Sequence, residues 1–118
     1  MSAPYLGVVV PAFNEEARIA SSLARIVEYY GGQDYTWHVT VISDGSTDRT
    51  DEIVSELAAS HPEVTLSGYR PNRGKGYAVK KGMLEVEGEI LLFCDADLAT
   101  PQEETSKLLE HIRAGADV

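Results

Sequence analysis

At 118 residues the chain has room for a single domain with a real core. Its net charge of -9 argues against general nucleic-acid binding and a broadly basic membrane-docking face, and 43% apolar with 25% charged residues excludes a disordered chain. A lone cysteine, Cys94, rules out an internal disulfide and fits a reducing compartment.

Leu6-Gly7-Val8-Val9-Val10 is a β-rich run that reads as the first strand, ended by Pro11. Asn14 with Glu15 and Glu16 reads as a helix N-cap with acids in the first turn. Ile19, Leu23, Ile26, Val27 and Tyr30 then recur at helical spacing as one apolar stripe, which Gly31-Gly32 stops. A second strand runs from Trp37 to Ser43 on the β-branched content of Val39, Val41 and Ile42, into a turn of Asp44-Gly45-Ser46-Thr47-Asp48. Ile53, Val54, Leu57 and Ala58 mark a second helix that ends before Pro62, and Val64 to Tyr69 is a short third strand. Pro71-Asn72-Arg73-Gly74-Lys75-Gly76 opens a third helix through Val79, Met83 and Val86, and Ile90 to Cys94 is the fourth strand. Thr100-Pro101-Gln102-Glu103 reads as a capping box, with Leu108, Leu109 and Ile112 carrying a fourth helix to Gly115.

Strand and helix alternate with short connections, which predicts an α/β, Rossmann-like half-sheet: parallel strands with helices on both faces. Ala116-Asp117-Val118 reads as the start of a further strand, so the chain is expected to be cut in mid-fold. Leu6 to Val10 is too short for a secretory signal, and no apolar run approaches the ~20 residues of a membrane helix.

Ligands of open parallel sheets bind outside the carboxyl ends of the strands, and three of the four predicted strand ends carry polar groups. After the first stand Pro11, Phe13, Asn14 and Glu15. The ring can stack on a base and the carboxylate can accept from a ribose hydroxyl or base N–H, although a strand stop with a helix cap is the plainer reading. After the second stands Asp44, which can accept the imino hydrogen of uracil or guanine, or equally make a turn leading to a helix cap. Asp48 and Thr50 read as capping residues. After the fourth, Asp95-Ala96-Asp97 offers hard oxygen ligands suited to Mg²⁺ or Mn²⁺, with a solvated turn as the plainer reading.

The two glycines of the Asn72–Gly76 segment let backbone amides approach a ligand, and the helix that follows favours anions at its start. P-loop spacing and Gly-x-Gly-x-x-Gly are both absent. Arg70, Arg73, Lys75, Lys80 and Lys81 supply half of the 10 Lys and Arg in a stretch without acids, a solvated helix face or a place that meets phosphate. His38, His61 and His111 share no ligand spacing.

Pro11-Ala12-Phe13-Asn14-Glu15, Ser43-Asp44-Gly45-Ser46-Thr47-Asp48 and Asp95-Ala96-Asp97 resemble, in order and separation, the three motifs of family 2 glycosyltransferases, which have the GT-A fold. Asn72 to Val79 and Asp95 to Pro101 are most similar to the dolichyl-phosphate β-glucosyltransferase branch, with the mannosyltransferase branch next. The resemblance implies that residues 1–118 are the nucleotide-sugar-binding portion of such a domain, truncated before the acceptor half. It places Pro11, Phe13 and Glu15 in the nucleoside pocket and Asp44 on the base. Asp95, Ala96 and Asp97 would meet the ribose and the metal-bound diphosphate, with Asp95 and Asp97 as metal ligands and Asp97 as the catalytic residue of the motif; Lys75 would meet phosphate. Ser43 stands where many members carry an acid, and Phe13 where tyrosine is commoner.

The implied reaction is inverting transfer of a hexose from a nucleotide diphosphate sugar, with UDP-glucose as donor and Mg²⁺ or Mn²⁺ as cofactor. The implied acceptor is a polyprenyl or dolichyl phosphate, met at the cytoplasmic membrane face by a cytoplasmic, peripheral protein. Alternatives are GDP-mannose as donor, a non-catalytic nucleotide-binding module, or a haloacid-dehalogenase-type phosphatase. The last also places Asp-x-Asp after a strand, but Ala99 stands where it needs Thr.

Overall fold

The computed structural model describes residues 4–94. Along them run β1 (Leu6–Ala12), α1 (Ile19–Gly31), β2 (Trp37–Asp44), α2 (Thr50–Ser60), β3 (Val64–Tyr69), α3 (Lys75–Glu85) and β4 (Ile90–Phe93). The strands pair in parallel in the order β3-β2-β1-β4, with Val8 opposite Val39 and Leu92. The predicted fourth helix, Asp95-Ala96-Asp97 and the strand expected from Ala116 lie outside the described residues.

Strand alternation sorts the side chains into two layers. Leu6, Val8, Val10 and Ala12 of β1 join Val39 and Val41 of β2 on the face covered by α1 and α2. There Ile19, Leu23, Ile26 and Tyr30 bury the predicted stripe, each fully covered side chain contributing about 1.5–3 kcal/mol. The opposite face packs Val9 and Ile42 against Ala78 of α3. Gly82 sits so close to Val9 that an added Cβ would overlap its side chain. Helices therefore lie on both faces, as expected.

Two boundaries differ from the sequence reading by more than a residue. β1 continues through Pro11 to Ala12. The carbonyl of Val9 accepts from the Cys94 N–H on the β4 side, so Pro11, two residues on, turns its missing donor to that same side. Described β4 pairing ends at Phe93, and Pro11 thus costs the β1–β2 ladder nothing. The first helix begins at Ile19 rather than after Asn14, with Arg18 at its N-cap and no acid in its first turn. Asn14 instead takes φ +50° and turns its side chain toward the loop after β2.

Candidate functional site

β1 and β2 end side by side, with Ala12 opposite Ser43, and the loop from β3 to α3 folds back over them. Between them lies a cavity of about 590 Å³. Pro11, Phe13, Glu15, Asp44 and Lys75, the five sequence-predicted residues that fall within the described segment, all line it. Gly74, one of the two glycines expected to let backbone approach a ligand, lines it too, as do Arg18 and Asn72, whose side chains the sequence reading gave no role there. β4 brings the chain to this edge, where the Cys94 N–H donates to Val9 at 2.9 Å. Asp95, Ala96 and Asp97 follow it in sequence and lie outside the described residues.

The polar residues of the first two motifs mostly hold each other. The Asn14 side-chain oxygen accepts from the backbone N–H of Thr47 at 2.8 Å and of Asp48 at 3.3 Å. In return the Asn14 N–H donates to the Ser46 hydroxyl at 3.1 Å and the Glu15 N–H to the Thr50 hydroxyl at 2.8 Å. Asp48 accepts from the Glu16 N–H, and from both the N–H and the hydroxyl of Thr50. Burial opposes the Asp48 charge, but the Thr50 and Glu16 hydrogen bonds outweigh it and hold the carboxyl below its ordinary range. Asp48, the residue before the N-cap Arg49, thus takes the first backbone N–H of α2, while Thr50, also expected to cap, is the first residue of the helix. Ser43 is hydrogen-bonded to Ser46 at 2.9 Å and to the Asp51 carboxylate at 2.5 Å. Asp51 therefore brings a carboxylate beside Ser43.

Asp44 is the last residue of β2 and only 3% exposed. One carboxylate oxygen accepts the Tyr69 hydroxyl at 2.5 Å and the Arg73 N–H at 2.8 Å. The other accepts the Asn72 side-chain amide at 2.6 Å and the Gly74 N–H at 2.9 Å. A carboxylate offers about four acceptor positions, and here Tyr69 at the end of β3 and the loop that follows fill them. Burial and the Asp44 charge push the Tyr69 phenol up, keeping it a donor. Gly45, at φ +68°, lets the loop lie against it, since a Cβ there would strike the Pro71–Asn72 backbone.

The remaining wall is less committed. Phe13 is 45% exposed, so its ring face is open to stacking. Glu15 accepts Arg18 at 2.8 Å through one oxygen, while the other is buried without a hydrogen-bond partner among the described residues. A buried acceptor of that kind calls for a donor. Gly74 (φ +96°) turns the loop into α3, and Lys75 is the first residue of that helix. The basic island disperses: Arg73 lies over the Tyr77 ring, Arg70 is 3.8 Å from Asp51, and Lys81 pairs with Glu85. Among the described residues no three His, Cys, Asp or Glu side chains gather as a metal site.

Residues 7–118 match the family model described as Glycosyl transferase family 2. The chain belongs to that family. A dolichyl-phosphate beta-glucosyltransferase of Trichomonas vaginalis is 40% identical over 93% of this chain and 34% of its own length. One from Drosophila melanogaster is 40% identical over 87% of the chain and 34% of its own. In three dimensions the chain is similar to the mannosyltransferase PcManGT of Pyrobaculum calidifontis, solved with GDP-Man and Mn²⁺. The TM-score is 0.77 and the identity 31%, over 93% of this chain and 32% of that one. The α/β, GT-A-type half-sheet is thus the fold, and the phosphatase reading falls. The chain spans about a third of the length of the curated relatives it matches.

Proposed function

We propose that the chain is the nucleotide-sugar-binding portion of a glycosyltransferase that passes a hexose, with inversion, from UDP-glucose to a polyprenyl phosphate of the dolichyl kind. The observation that carries this is the cavity itself, which gathers residues of the first two family motifs and the loop before α3 at one sheet edge. Phe13 offers a ring face to the base, and the unpartnered oxygen of Glu15 offers an acceptor to a ribose hydroxyl. Lys75 and the start of α3 offer positive charge to a diphosphate. Glucosyl transfer is favoured by the names of the relatives.

Asp95 and Asp97 supply two hard oxygen ligands, a donor set that fits Mg²⁺ or Mn²⁺ carried with substrate phosphates. When bound, such an ion neutralises charge on the leaving diphosphate. A lipid phosphate is already an anion, so the attack on the anomeric carbon needs no strong general base. Among the described residues no helix is long and apolar enough to cross a membrane. In this reading the protein meets its lipid acceptor peripherally at the cytoplasmic membrane face.

Calorimetric titration of UDP and GDP, with and without Mn²⁺, tests this. UDP is expected to bind roughly tenfold more tightly than GDP, a gap of about 1.4 kcal/mol. Asp97→Asn is expected to weaken metal-dependent binding by about 2–5 kcal/mol. UDP affinity unchanged by EDTA and by Asp97→Asn would remove the metal role. A reversed base preference would move the donor to GDP-mannose, and no binding of either nucleotide would sink the reading.

A further inference from the structure

Asp44 borders the cavity, yet its carboxylate has no vacant position for a ligand. A base N–H can reach it only by displacing one of its four present donors. Two of these, the Arg73 and Gly74 amides, belong to the backbone and leave only if the loop moves. The Tyr69 hydroxyl is held from behind, its ring packed edge-on against Tyr77 at 4.8 Å, and Tyr69 does not line the cavity. Asn72 does line the cavity, and its side chain is exposed. Its amide donates to the Asp44 carboxylate at 2.6 Å and to the Asp44 backbone carbonyl at 3.1 Å.

We propose that Asn72 is a specificity-determining residue: the nucleobase inserts between Asn72 and Asp44. The imino N–H of the base takes the place of the Asn72 amide on the carboxylate. The amide turns to the adjacent base carbonyl, while its second N–H can stay on the Asp44 backbone oxygen. One protein hydrogen bond is broken and two to the ligand are formed. In this pose the carboxylate faces a ring nitrogen and the amide faces its exocyclic neighbour. Uracil and guanine present a ring N–H beside a carbonyl there; cytosine and adenine present a ring lone pair beside an amine, which would leave both groups facing like partners unless the base shifted. Asn72 thus stands in for the base and keeps a buried carboxylate satisfied.

This inference rests on the nucleotide-binding reading above, and a cycle of ligand and side-chain changes separates the two. UDP, N3-methyl-UDP, 4-thio-UDP and CDP are titrated into the parent chain and into Asn72→Ala. In the parent, N3-methyl-UDP and CDP are expected to bind at least roughly tenfold more weakly than UDP, and 4-thio-UDP, whose sulfur is a poor acceptor, severalfold more weakly. In Asn72→Ala, UDP is expected to weaken severalfold while its advantage over 4-thio-UDP shrinks to within about twofold. A residue that only braces the loop would lower all four ligands together. That result overturns the inference, as does tighter UDP binding by Asn72→Ala or a sulfur effect that survives the substitution. Should Asn72→Ala fail to fold, Asn72→Ser takes its place, and parent binding indifferent to N3-methylation overturns the inference without either variant. If the parent binds UDP but the cycle is additive, only this inference fails; if it binds no nucleotide, both readings fail.

Discussion

At the scale of single residues, two glycines near the site illustrate opposite demands. Gly45 has φ +68° and no room for a Cβ beside the Pro71–Asn72 backbone. Gly45→Ala is therefore expected to cost about 2 kcal/mol or more, since the left-handed conformation alone costs roughly 1–2 kcal/mol and backbone cannot swing aside. Gly76 lies in the first turn of α3, where an added Cβ would meet open space, so Gly76→Ala should stabilise by about 0.5–1 kcal/mol. Urea unfolding of the two variants checks both signs. Asp48 provides a pH test. Its folded pKa lies below its unfolded value, so its contribution is complete above the unfolded value near 3.8 and disappears as pH falls through the folded one. Acid unfolding of Asp48→Asn should lose that part of the pH dependence, and a curve parallel to the parent's would deny Asp48 the role.

Elements were legible in the sequence to different degrees. The stripe of α1 is a pure matter of spacing, and Ile19, Leu23, Ile26 and Tyr30 are buried as their periodicity demands. Its start was misread because Asn14 is a good N-cap by residue type, and local chemistry cannot tell a cap from a side chain that reaches 33 residues along the chain to Thr47. Pro11 misled in the same way: whether its missing N–H matters depends on which neighbour it would have served. Packing of α3 offers a further test. Gly82→Val forces a branched side chain into Val9, and overpacking of this kind typically costs about 1–3 kcal/mol. Because Lys75 and Ala78 of the same helix line the cavity, UDP affinity should fall along with stability. Loss of stability with unchanged affinity would show that α3 can shift without disturbing the site.

For the whole molecule, occupancy of the cavity should register as stability. A ligand at about 100 times its dissociation constant adds about 2.7 kcal/mol, which in a domain of this size raises the melting temperature by roughly 10 °C or more. Thermal melts with UDP and Mn²⁺ measure this directly, and an unmoved transition at saturating ligand would contradict binding to the folded chain. The outer face of α3 carries Met83 and Leu84, 59% and 77% exposed, with Phe93 of β4 at 38%. Leu84→Lys is expected to leave stability within about 0.5 kcal/mol and to reduce self-association in sedimentation velocity.

By itself the sequence determined the layers and the address of the site, because burial periodicity and the strand-end rule depend on residue type and spacing. It also singled out Pro11, Phe13, Glu15, Asp44 and Lys75, which the fold brings to one cavity. Only the tertiary structure decided what those groups touch. Asp44 read as an open acceptor, yet donors from positions 69 to 74 fill its carboxylate, and Asn72, which the sequence left as a loop residue, shares its cavity wall. Glu15 read as a first-turn acid, yet it stands before the helix with one oxygen tied to Arg18 and the other unpartnered among the described residues. A hydrogen bond depends on direction and distance between residues far apart in the chain, and neither is written in the spacing of residue types.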